Sequence, residues 1–354
     1  MTLVLKNAEM GGLLPMGQNI EDMEVAFREY GQEIAVNRPR MRMYVPLGEP
    51  ETYYWFNNIA GIVPGFKSMA LRIDSSKARA VLRDGRWREE YPDDFVGLVL
   101  LFDIESCRLL AIMDDHYLSV TRVAATSAVA AKFLARQDAE VLGLFGTGEQ
   151  ARTQLEAMAL VRPLRLAKVF SPNRANRERF AAEMAEKLKL EVRAVSDPLE
   201  VVRGADIINA ATNAADPLVD GRWLEPGQHL STLVGGDYRR KRDELDHEAY
   251  LRCDLIVVNT REQVRQDRQG NLFELLEAGK LQWESLAELG EIVAGKRSGR
   301  TGPRQITLCK NNHGMGIQFA VTARRIYELA RARGIGRELD DELFLTRREG
   351  VWSP

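Results

Sequence analysis

The chain has 354 residues, with 49 lysines and arginines against 51 aspartates and glutamates and a net charge of −2. This length predicts two domains of ordinary size, and a hydrophobic content of 45% excludes a disordered scaffold. The near-neutral charge argues against a nucleic-acid partner or a membrane-surface partner. In addition, no apolar run reaches the roughly 18 residues that a membrane span needs.

The cysteines and histidines carry little functional signal. Cys107, Cys253 and Cys309 lie far apart and form no Cys-x-x-Cys pair. With an odd cysteine count and no recognisable targeting segment, we expect reduced thiols in a cytoplasmic protein. The histidines and cysteines show no metal-ligand spacing, so the sequence predicts no metal site.

The first third of the chain reads as a mixed α+β region. Residues 21–36 carry apolar side chains at helical spacing, which predicts an amphipathic helix. Residues 75–94 are crowded with charge and predict a surface excursion, whereas the alanine-rich segment from Tyr117 to Arg136 predicts a buried helix. The predicted strands of this region are MRMYVP, YYWFNNIAGIV, FKSMALRID, VGLVLLFD and RLLAIMDD.

From Ala139 onward, short apolar strands alternate with helices. Such alternation predicts right-handed βαβ crossovers and a parallel, doubly wound sheet of the Rossmann type. The predicted strands are VLGLF, LAKVF, EVRAV, DIINAA, HLSTLV and DLIVVN, which we take as the complete set. The last helix, from Gly316 to Arg333, has no predicted strand after it and is expected to pack back on the first domain.

These patterns predict an α/β fold in which a Rossmann-type domain interrupts a discontinuous α+β domain. The expected boundaries are 1–130 for the first part of the α+β domain, which would bind substrate and dimerise, and 131–315 for the dinucleotide-binding domain. Residues 316–354 would then form the helical segment that returns to the α+β domain.

The sharpest motif is Gly-Thr-Gly-Glu-Gln-Ala at 146–151, directly after a predicted strand and directly before a predicted helix. Gly146 would permit the tight turn, Gly148 would let a pyrophosphate approach the backbone, and Ala151 would let the helix pack closely on the sheet. The alternative is an ordinary βα turn without a ligand. The residues expected to bind the cofactor here are Gly146, Thr147, Gly148, Glu149 and Gln150.

The end of the next strand bears on which dinucleotide binds. An acidic residue there would accept hydrogen bonds from the ribose 2′-hydroxyl of NAD, but this strand ends with Ser171, Pro172, Asn173 and Arg174. Ser171, Asn173 and Arg174 therefore favour NADP(H) over NAD(H), because a guanidinium can grip a 2′-phosphate with two bonds. Alternatively, Ser171 and Arg174 only cap and solvate the following helix. Thr212 and Asn213, after the strand DIINAA, are placed by position at the cofactor ribose or nicotinamide.

The chain resembles the ornithine cyclodeaminase and mu-crystallin family from Pro39 to about Tyr327. The segments that carry this resemblance are TRVAATS at 121–127, the GTGEQA turn, and LEPGQHLSTLVGGD ending at Asp237. The resemblance implies a homodimer and a nicotinamide cofactor. It also implies a hydride that moves between the nicotinamide and the α-carbon of a small amino or imino acid.

Matched residue by residue, the family's carboxylate-binding positions correspond to Arg40, Lys67 and Arg122. Arg122 interrupts an apparently buried helix, where a charge is costly unless it is paired or used, so a structural ion pair is the alternative role. Lys67 follows an apolar run and would be buried and able to donate a proton, or else simply an exposed strand lysine. Arg40 would otherwise be solvated, as most arginines are.

Asp237 matches the family's acid/base aspartate. It follows the strand HLSTLV at the edge of the sheet that would face the nicotinamide, so it could move a proton to or from the substrate nitrogen. The alternative is a loop aspartate that caps the following segment. By contrast, Glu244 and Asp246 are expected to open the next helix.

Two departures from the family concern the pocket. The stretch Tyr54–Asn58 contains no acid where the cyclodeaminases have one, and Phe319 stands near the position of an expected Asp after Lys310. The leading hypothesis is therefore an NAD(P)-dependent reductase of a small α-imino acid. The alternatives are a cyclodeaminase that releases ammonia with tightly held NAD and a mu-crystallin-like binding protein without turnover. The aromatic run 53–56 would form sheet core or line a larger, less polar substrate site.

Overall fold

The structure is a computed structural model that describes residues 1–83, 86–239, 241–311 and 314–346. The helices are α1 (Asn7–Met10), α2 (Met16–Gly31), α3 (His116–Leu134), α4 (Glu149–Val161), α5 (Arg174–Leu188), α6 (Pro198–Val202), α7 (His247–Leu251), α8 (Arg261–Asp267), α9 (Gly270–Glu277), α10 (Leu289–Val293) and α11 (Gly316–Arg333). The strands of the N-terminal region are β1 (Thr2–Leu5), β2 (Val36–Asn37), β3 (Met41–Pro46), β4 (Thr52–Val63), β5 (Ser68–Arg83), β6 (Arg86–Glu90), β7 (Val96–Asp103) and β8 (Leu109–Asp114). The remaining strands are β9 (Val141–Phe145), β10 (Leu166–Phe170), β11 (Glu191–Ala194), β12 (Ile207–Ala210), β13 (His229–Thr232), β14 (Leu255–Val258), β15 (Ala287–Glu288), β16 (Thr307–Lys310) and β17 (Arg337–Leu339).

The first sheet is mixed and, within the described residues, contains nine strands. Its order is β17-β1-β8-β7-β5-β4-β2, with β3 paired to β4 and β6 paired to β5. β1 and β8 are parallel, whereas β3, β4 and β5 form a long antiparallel meander. Arg42, Asn57 and Asp74 are directly opposite one another across these three strands. Because opposed residues of antiparallel strands point to the same face, this register brings charged side chains together on one side of the sheet.

The second sheet is parallel throughout its eight described strands, in the order β11-β10-β9-β12-β13-β16-β14-β15. Its inner strands β12, β13 and β16 are buried along their whole length, as expected for strands covered by helices on both faces. The connection after β9 leads to β10 on one side, and β12 lies on the other side of β9. This reversal of strand order creates a crevice at the carboxyl ends of β9 and β12, which is where doubly wound sheets bind ligands.

Helix α11 packs on the first sheet, against β4 and β5, as expected from the sequence. Gly61 and Gly316 make this contact possible, since a Cβ on Gly316 would lie 2.0 Å from the carbonyl carbon of Ala60. Helix α3 is buried along most of its length and lies between the two sheets, with contacts to α2, α4 and β16. The fold is thus the predicted α/β architecture, with a Rossmann-type parallel sheet beside a second, mixed sheet.

Three details of the predicted elements are wrong. Residues 75–94 are not an excursion, because β5 continues to Arg83 and pairs with β6. The predicted strand set omits β15, which pairs with β14, and β16, a four-residue strand that lies between β13 and β14. The segment after α11 does contain a strand, β17, which pairs with β1. Among the described residues, none of the helices combines the length and apolar character that crossing a membrane requires.

Candidate active site

The loop between β9 and α4, residues 146–148, forms one wall of the crevice. Gly146 has φ +105°, and a Cβ there would lie 2.3 Å from the carbonyl oxygen of Ala211, so this position requires glycine. Gly148 is the N-cap of α4, and a Cβ on it would meet nothing within 4 Å. The space above the helix N-terminus is therefore open, and the amides of the first turn have no acceptor within the helix. This cradle fits the pyrophosphate of a dinucleotide.

The side chains of the loop are arranged so that its backbone faces the crevice. Glu149 is exposed, and its carboxylate pairs with His116 Nε2 at 2.8 Å. The Thr147 carbonyl accepts a hydrogen bond from Arg152 Nη1 at 2.7 Å. Gln150 Oε1 is buried and has no hydrogen-bond partner among the described residues. The Gly146 amide donates to the Phe170 carbonyl at 2.9 Å. The amides that remain for an anion are therefore those that follow Gly146, at the N-terminus of α4.

The end of β10 carries the residues that bear on the 2′ position of the cofactor. Asn173 is the N-cap of α5 and accepts a hydrogen bond from the Asn176 amide at 3.0 Å. Arg174 is 80% exposed and pairs with Glu178 at 2.7 Å. Ser171 is half-buried, and its carbonyl accepts a bond from Arg177 Nη1 at 3.0 Å. The Asn173 and Arg174 contacts are those of helix capping and solvation, and the Arg174 guanidinium stays accessible to a phosphate.

The ends of β12 and β13 are tied together by one carboxylate. Glu244 Oε1 accepts hydrogen bonds from the amide and the hydroxyl of Thr212, at 2.9 and 2.8 Å. Glu244 Oε2 accepts bonds from the amides of Leu233 and Val234, at 2.9 and 3.0 Å. Glu244 is fully buried, and burial raises its pKa. The expectation that Glu244 opens a helix is wrong, because Asp246 alone is the N-cap of α7. Asn213, next to Thr212, is exposed.

Asp237 lies in the loop after β13 and contacts the first sheet. Its Oδ2 accepts hydrogen bonds from Arg42 Nη1 at 2.8 Å and from the Tyr44 hydroxyl at 2.6 Å. Its Oδ1 accepts a bond from the Arg239 amide at 2.9 Å. Burial raises the pKa of Tyr44, so this hydroxyl remains a donor. Asp237 therefore joins the crevice of the second sheet to the charged face of the first sheet.

Arg40 lies beside this contact, at the start of β3. Its Nη2 donates to Asp267 at 2.8 Å, and Asp267 Oδ1 is 3.4 Å from Arg42 Nη1. The Arg40 amide donates to Gln263 Oε1 at 2.6 Å. Burial and the positive charge of Arg42 lower the pKa of Arg40 to about 10. Arg40 is thus a largely covered cation, 12% exposed and paired with Asp267, and not the solvated arginine of the alternative interpretation.

Arg122, on α3, belongs to the same site, because the charges of Arg72 and Arg40 act on it. Its Nη1 donates to Gln318 Oε1 at 2.8 Å, and its guanidinium lies 4.9 Å from the centre of the Phe319 ring. The backbone at Gly314 covers the guanidinium, since a Cβ there would lie 3.1 Å from Nη2. Burial and the charges of Arg72 and Arg40 lower the pKa of Arg122 to about 9. Among the described residues, no carboxylate lies within ion-pair distance of Arg122, and its buried Nε has no hydrogen-bond partner.

Arg72 belongs to the same site, although the sequence analysis missed it. Its Nε donates to Asp115 Oδ2 at 2.6 Å, and its Nη2 donates to Asp74 Oδ2 at 2.9 Å. Asp115 stands at the N-terminus of α3, where the helix dipole favours a negative charge. The sequence signal that could have identified Arg72 is its position in a strand where small and charged residues alternate. That signal becomes informative only when the register with β4 is known.

Lys67 is not part of this site, contrary to the prediction. It has φ +50° at the turn that connects β4 to β5, so its side chain points away from the paired strands. The side chain is 56% exposed and pairs with Glu105, itself 63% exposed, at 2.9 Å. An exposed ammonium with an exposed partner has neither the burial nor the location expected of a substrate-binding or proton-donating lysine.

The departures noted in the sequence have structural counterparts. Phe319 places its ring against Arg122 at the position where an acid was expected, so a cation–π contact replaces a carboxylate contact. Lys310, at the end of β16, is fully buried and pairs with Asp243 at 3.0 Å, so its role is a buried ion pair in the second sheet. Asn312 and His313 lie outside the described residues. No cluster of three or more potential metal ligands occurs in the part of the chain that the structure describes.

The comparison with known proteins agrees with this geometry. The Delta(1)-pyrroline-2-carboxylate reductase of Bacillus cereus is 29% identical over 96% of this chain and 99% of its own length. The ketimine reductase mu-crystallin of Macropus fuliginosus is 33% identical over 65% of this chain and 68% of its own length. The solved structure of the Thermococcus litoralis Delta(1)-pyrroline-2-carboxylate reductase, in complex with NADH and L-proline, superposes with a TM-score of 0.82. It is 29% identical and covers 96% of this chain and 100% of its own.

The family profile covers all of the second sheet, strands β6 to β8 of the first sheet, and α11. The sequence profile of the ornithine cyclodeaminase/mu-crystallin family matches residues 83–334. This match covers the crevice loop, Arg122 and Asp237, while Arg40 and Arg72 lie before it. The chain belongs to the ornithine cyclodeaminase/mu-crystallin family.

Proposed function

We propose that the protein is an NAD(P)-dependent reductase of a small α-imino acid, which it converts to an amino acid. The observation that carries this proposal is the largely buried guanidinium of Arg122, whose Nε is buried without a hydrogen-bond partner and which has no carboxylate partner among the described residues. A buried cation is costly unless an anion compensates it, and the substrate carboxylate is the anion that would do so. The similarity to imino acid reductases supports the same reaction class.

In this proposal the arginines position the substrate. Arg122 holds the α-carboxylate with its fork of donors, and Arg40 and Arg72 contribute positive charge from the facing strands. Fixing the carboxylate orients the α-carbon toward the crevice at the ends of β9 and β12. Lys67 has no role in this arrangement.

Asp237 handles the proton. Its position between Arg42, Tyr44 and the crevice suits transfer of a proton to the substrate nitrogen as the α-carbon becomes saturated. A bound nicotinamide would supply the hydride to that carbon. Arg42 and Tyr44 orient the carboxylate of Asp237. Glu244, which binds the amides of Leu233, Val234 and Thr212, holds the start of the loop that carries Asp237 next to Thr212.

The proposal includes a preference for NADP(H). The end of β10 has no acid for a ribose 2′-hydroxyl, and the exposed Arg174 can exchange its partner Glu178 for a 2′-phosphate. We expect kcat/KM to be higher with NADPH than with NADH. An Arg174→Ala variant should reduce this difference about tenfold without changing the rate with NADH. Equal losses with both cofactors would contradict the assignment.

The proposal also includes a homodimer in the cytoplasm. On the face of β3 opposite to Arg42, the side chains of Met41, Met43 and Val45 are 48%, 49% and 56% exposed. A row of exposed apolar side chains on a strand of this kind is typical of an interaction surface. The three cysteines are free thiols, which suits a reducing compartment. Sedimentation of the wild type and of a Met43→Glu variant tests the dimer.

The variant Asp237→Asn separates the reductase from a binding protein without turnover. If Asp237 handles the proton, the variant should bind cofactor and an amino acid product normally and lose at least about 10²-fold in kcat. The matched control is Asp103→Asn, which alters a carboxylate near Arg324 that is remote from the crevice. An Asp237→Asn enzyme with undiminished turnover would remove Asp237 from the mechanism.

A further inference from the structure

The charged face of the first sheet continues into an aromatic row. Along β3, β4 and β5, Arg42, Asn57 and Asp74 form one transverse row, and Tyr44, Trp55 and Ser76 form the next. Two residues along a strand separate the rows, which places them about 7 Å apart. The site therefore extends from the carboxylate-binding arginines past Asp237 to the aromatic row.

Two buried donors at this junction have no acceptor. Arg42 Nε and Trp55 Nε1 are buried, and neither has a hydrogen-bond partner in the part of the chain that the structure describes. The Arg42 guanidinium carbon lies 5.9 Å from the centre of the Trp55 ring, so the two groups are neighbours. Buried donors are almost always paired in folded proteins, and those left unpaired need an explanation.

Most of the nearby acceptors of the chain are engaged elsewhere. The exception is Asn57 Oδ1, which belongs to the residue opposite Arg42 in the register but makes no hydrogen bond with Arg42 or with any other described residue. Asp237 already receives Arg42 Nη1 and the Tyr44 hydroxyl. Ser76 donates its hydroxyl to Asp74, which also binds Arg72. The rings of Tyr44 and Tyr91 flank Trp55, with centroids 6.1 and 5.8 Å from it, and fix the indole in place. The donors of Arg42 and Trp55 are thus held in position for an acceptor that the described chain does not supply.

We infer that Arg42 and Trp55 form a distal subsite for an oxygen acceptor, a carboxylate or carboxamide, at the end of the substrate's side chain. This inference rests on the proposed function and specifies its substrate class, an α-imino acid with a polar terminus in place of an apolar one. Arg122 binds the α-carboxylate at one end of the site, and the Arg42 and Trp55 donors bind the terminal oxygen at the other. Asp237 contacts Arg42 at this distal end.

The test compares substrates of the same shape that differ in their terminal group. The imines form in the assay from ammonium and 2-oxoglutarate, 2-oxoglutaramate or 5-methyl-2-oxohexanoate, with loss of water. Each then takes up a hydride from NADPH or NADH and a proton to give the amino acid. We expect kcat/KM for the carboxylate or the carboxamide to exceed that for the apolar substrate at least about tenfold, and the better of the two identifies the terminal group.

The variant Trp55→Phe removes the donor and keeps an aromatic ring between Tyr44 and Tyr91. It should lower the preference for the polar terminus about five- to twentyfold and leave the rate with the apolar substrate within about twofold. Trp283→Phe, which makes the same change at a tryptophan that packs against Arg265 instead, should leave the preference unchanged. Thermal unfolding of both variants checks that they fold.

The outcomes separate this inference from the proposed function. A wild-type enzyme that reduces pyrroline-2-carboxylate but shows no preference for a polar terminus would overturn the distal subsite alone. Equal losses on all substrates in Trp55→Phe would also overturn it. Oxidation of neither NADPH nor NADH with any of these imines would instead contradict the proposed function.

Discussion

The variant Arg122→Met tests whether the buried guanidinium serves the substrate or the fold. Among the described residues, this side chain has one hydrogen bond, to Gln318, and one ring contact, with Phe319. No carboxylate among the described residues would be left unpaired by the substitution. Methionine fills a similar volume without the charge, so the change removes the proposed substrate anchor while keeping the packing of α3.

The expected magnitudes follow from these contacts. Charge-assisted hydrogen bonds contribute about 1.5–3 kcal/mol each, so loss of a bidentate carboxylate contact should lower kcat/KM about 10²- to 10³-fold. Replacement of a buried charge that has no ionic partner by an apolar group is commonly neutral or stabilising. We therefore expect the free energy of unfolding to stay within about 1 kcal/mol of the wild-type value or to rise above it.

Arg162→Met is the matched control. Arg162 is also buried, but its guanidinium donates to backbone carbonyls at the end of α3, including those of Lys132 and Ala135, at 3.0 and 3.1 Å. The substitution leaves these buried carbonyl oxygens without a donor and should lower the free energy of unfolding by about 2–4 kcal/mol. The kcat/KM of the folded Arg162→Met enzyme should remain close to that of the wild type.

The assays are chemical denaturation and steady-state kinetics on both variants. We expect Arg122→Met to lose activity and keep its stability, and Arg162→Met to lose stability and keep its activity. If Arg122→Met unfolds several kcal/mol more easily while its KM for the imino acid is unchanged, Arg122 is a structural cation. The central role that we assign to it would then be wrong.

Three further predictions concern the crevice and the core. Gly146→Ala should lower the free energy of unfolding by several kcal/mol in denaturation, because its Cβ would collide with Ala211. Gly148→Ala should keep the free energy of unfolding within about 1 kcal/mol of the wild-type value and weaken cofactor binding, measured by fluorescence titration, at least about tenfold. His229 is fully buried, and burial with the charge of Arg300 lowers its pKa to about 3 from an ordinary 6.5, so protonation favours the unfolded chain; stability is complete above pH 6.5, and about 2 kcal/mol should be lost between pH 6.5 and 5. That loss should be absent from the denaturation curves of His229→Asn, and identical slopes in both proteins would contradict it. Glu244→Gln places an amide donor against the backbone amides at the ends of β12 and β13, so it should lower the free energy of unfolding by about 2 kcal/mol and lower kcat of the folded enzyme. A variant with unchanged stability and kcat would show that the Glu244 hydrogen bonds are dispensable.

Local signals were sufficient for the features that depend on nearby residues. The strand, glycine turn and helix around 146–151 are adjacent in sequence, and each has its own pattern, so β9, α4 and their loop are as expected. The bounds of α11 agree for the same reason, since Met315 and Gly334 flank one continuous amphipathic helix. Arg122 and Asp237 were selected by the family resemblance, with support from the alanine-rich helix around Arg122 and from the position of Asp237 after β13.

Features that depend on long-range pairing were not predictable in this way. Arg72 becomes a site residue because β5 pairs with β4 and because Asp115, far along the chain, receives its guanidinium. Lys67 was misplaced because a left-handed turn residue reverses the direction that simple strand alternation assigns to it. The strand β16 was missed because four residues between long loops give little periodicity, and only its neighbours β13 and β14 define it.

The most direct measurement follows the absorbance of reduced nicotinamide, with NADPH and NADH in parallel, as the enzyme acts on linear and cyclic α-imino acids such as pyrroline-2-carboxylate. We expect steady oxidation of the cofactor, faster with NADPH, with one amino acid formed for each hydride consumed. A constant absorbance, together with ammonia release from ornithine or a related diamino acid in the presence of catalytic NAD, would contradict the reductase and establish a cyclodeaminase instead.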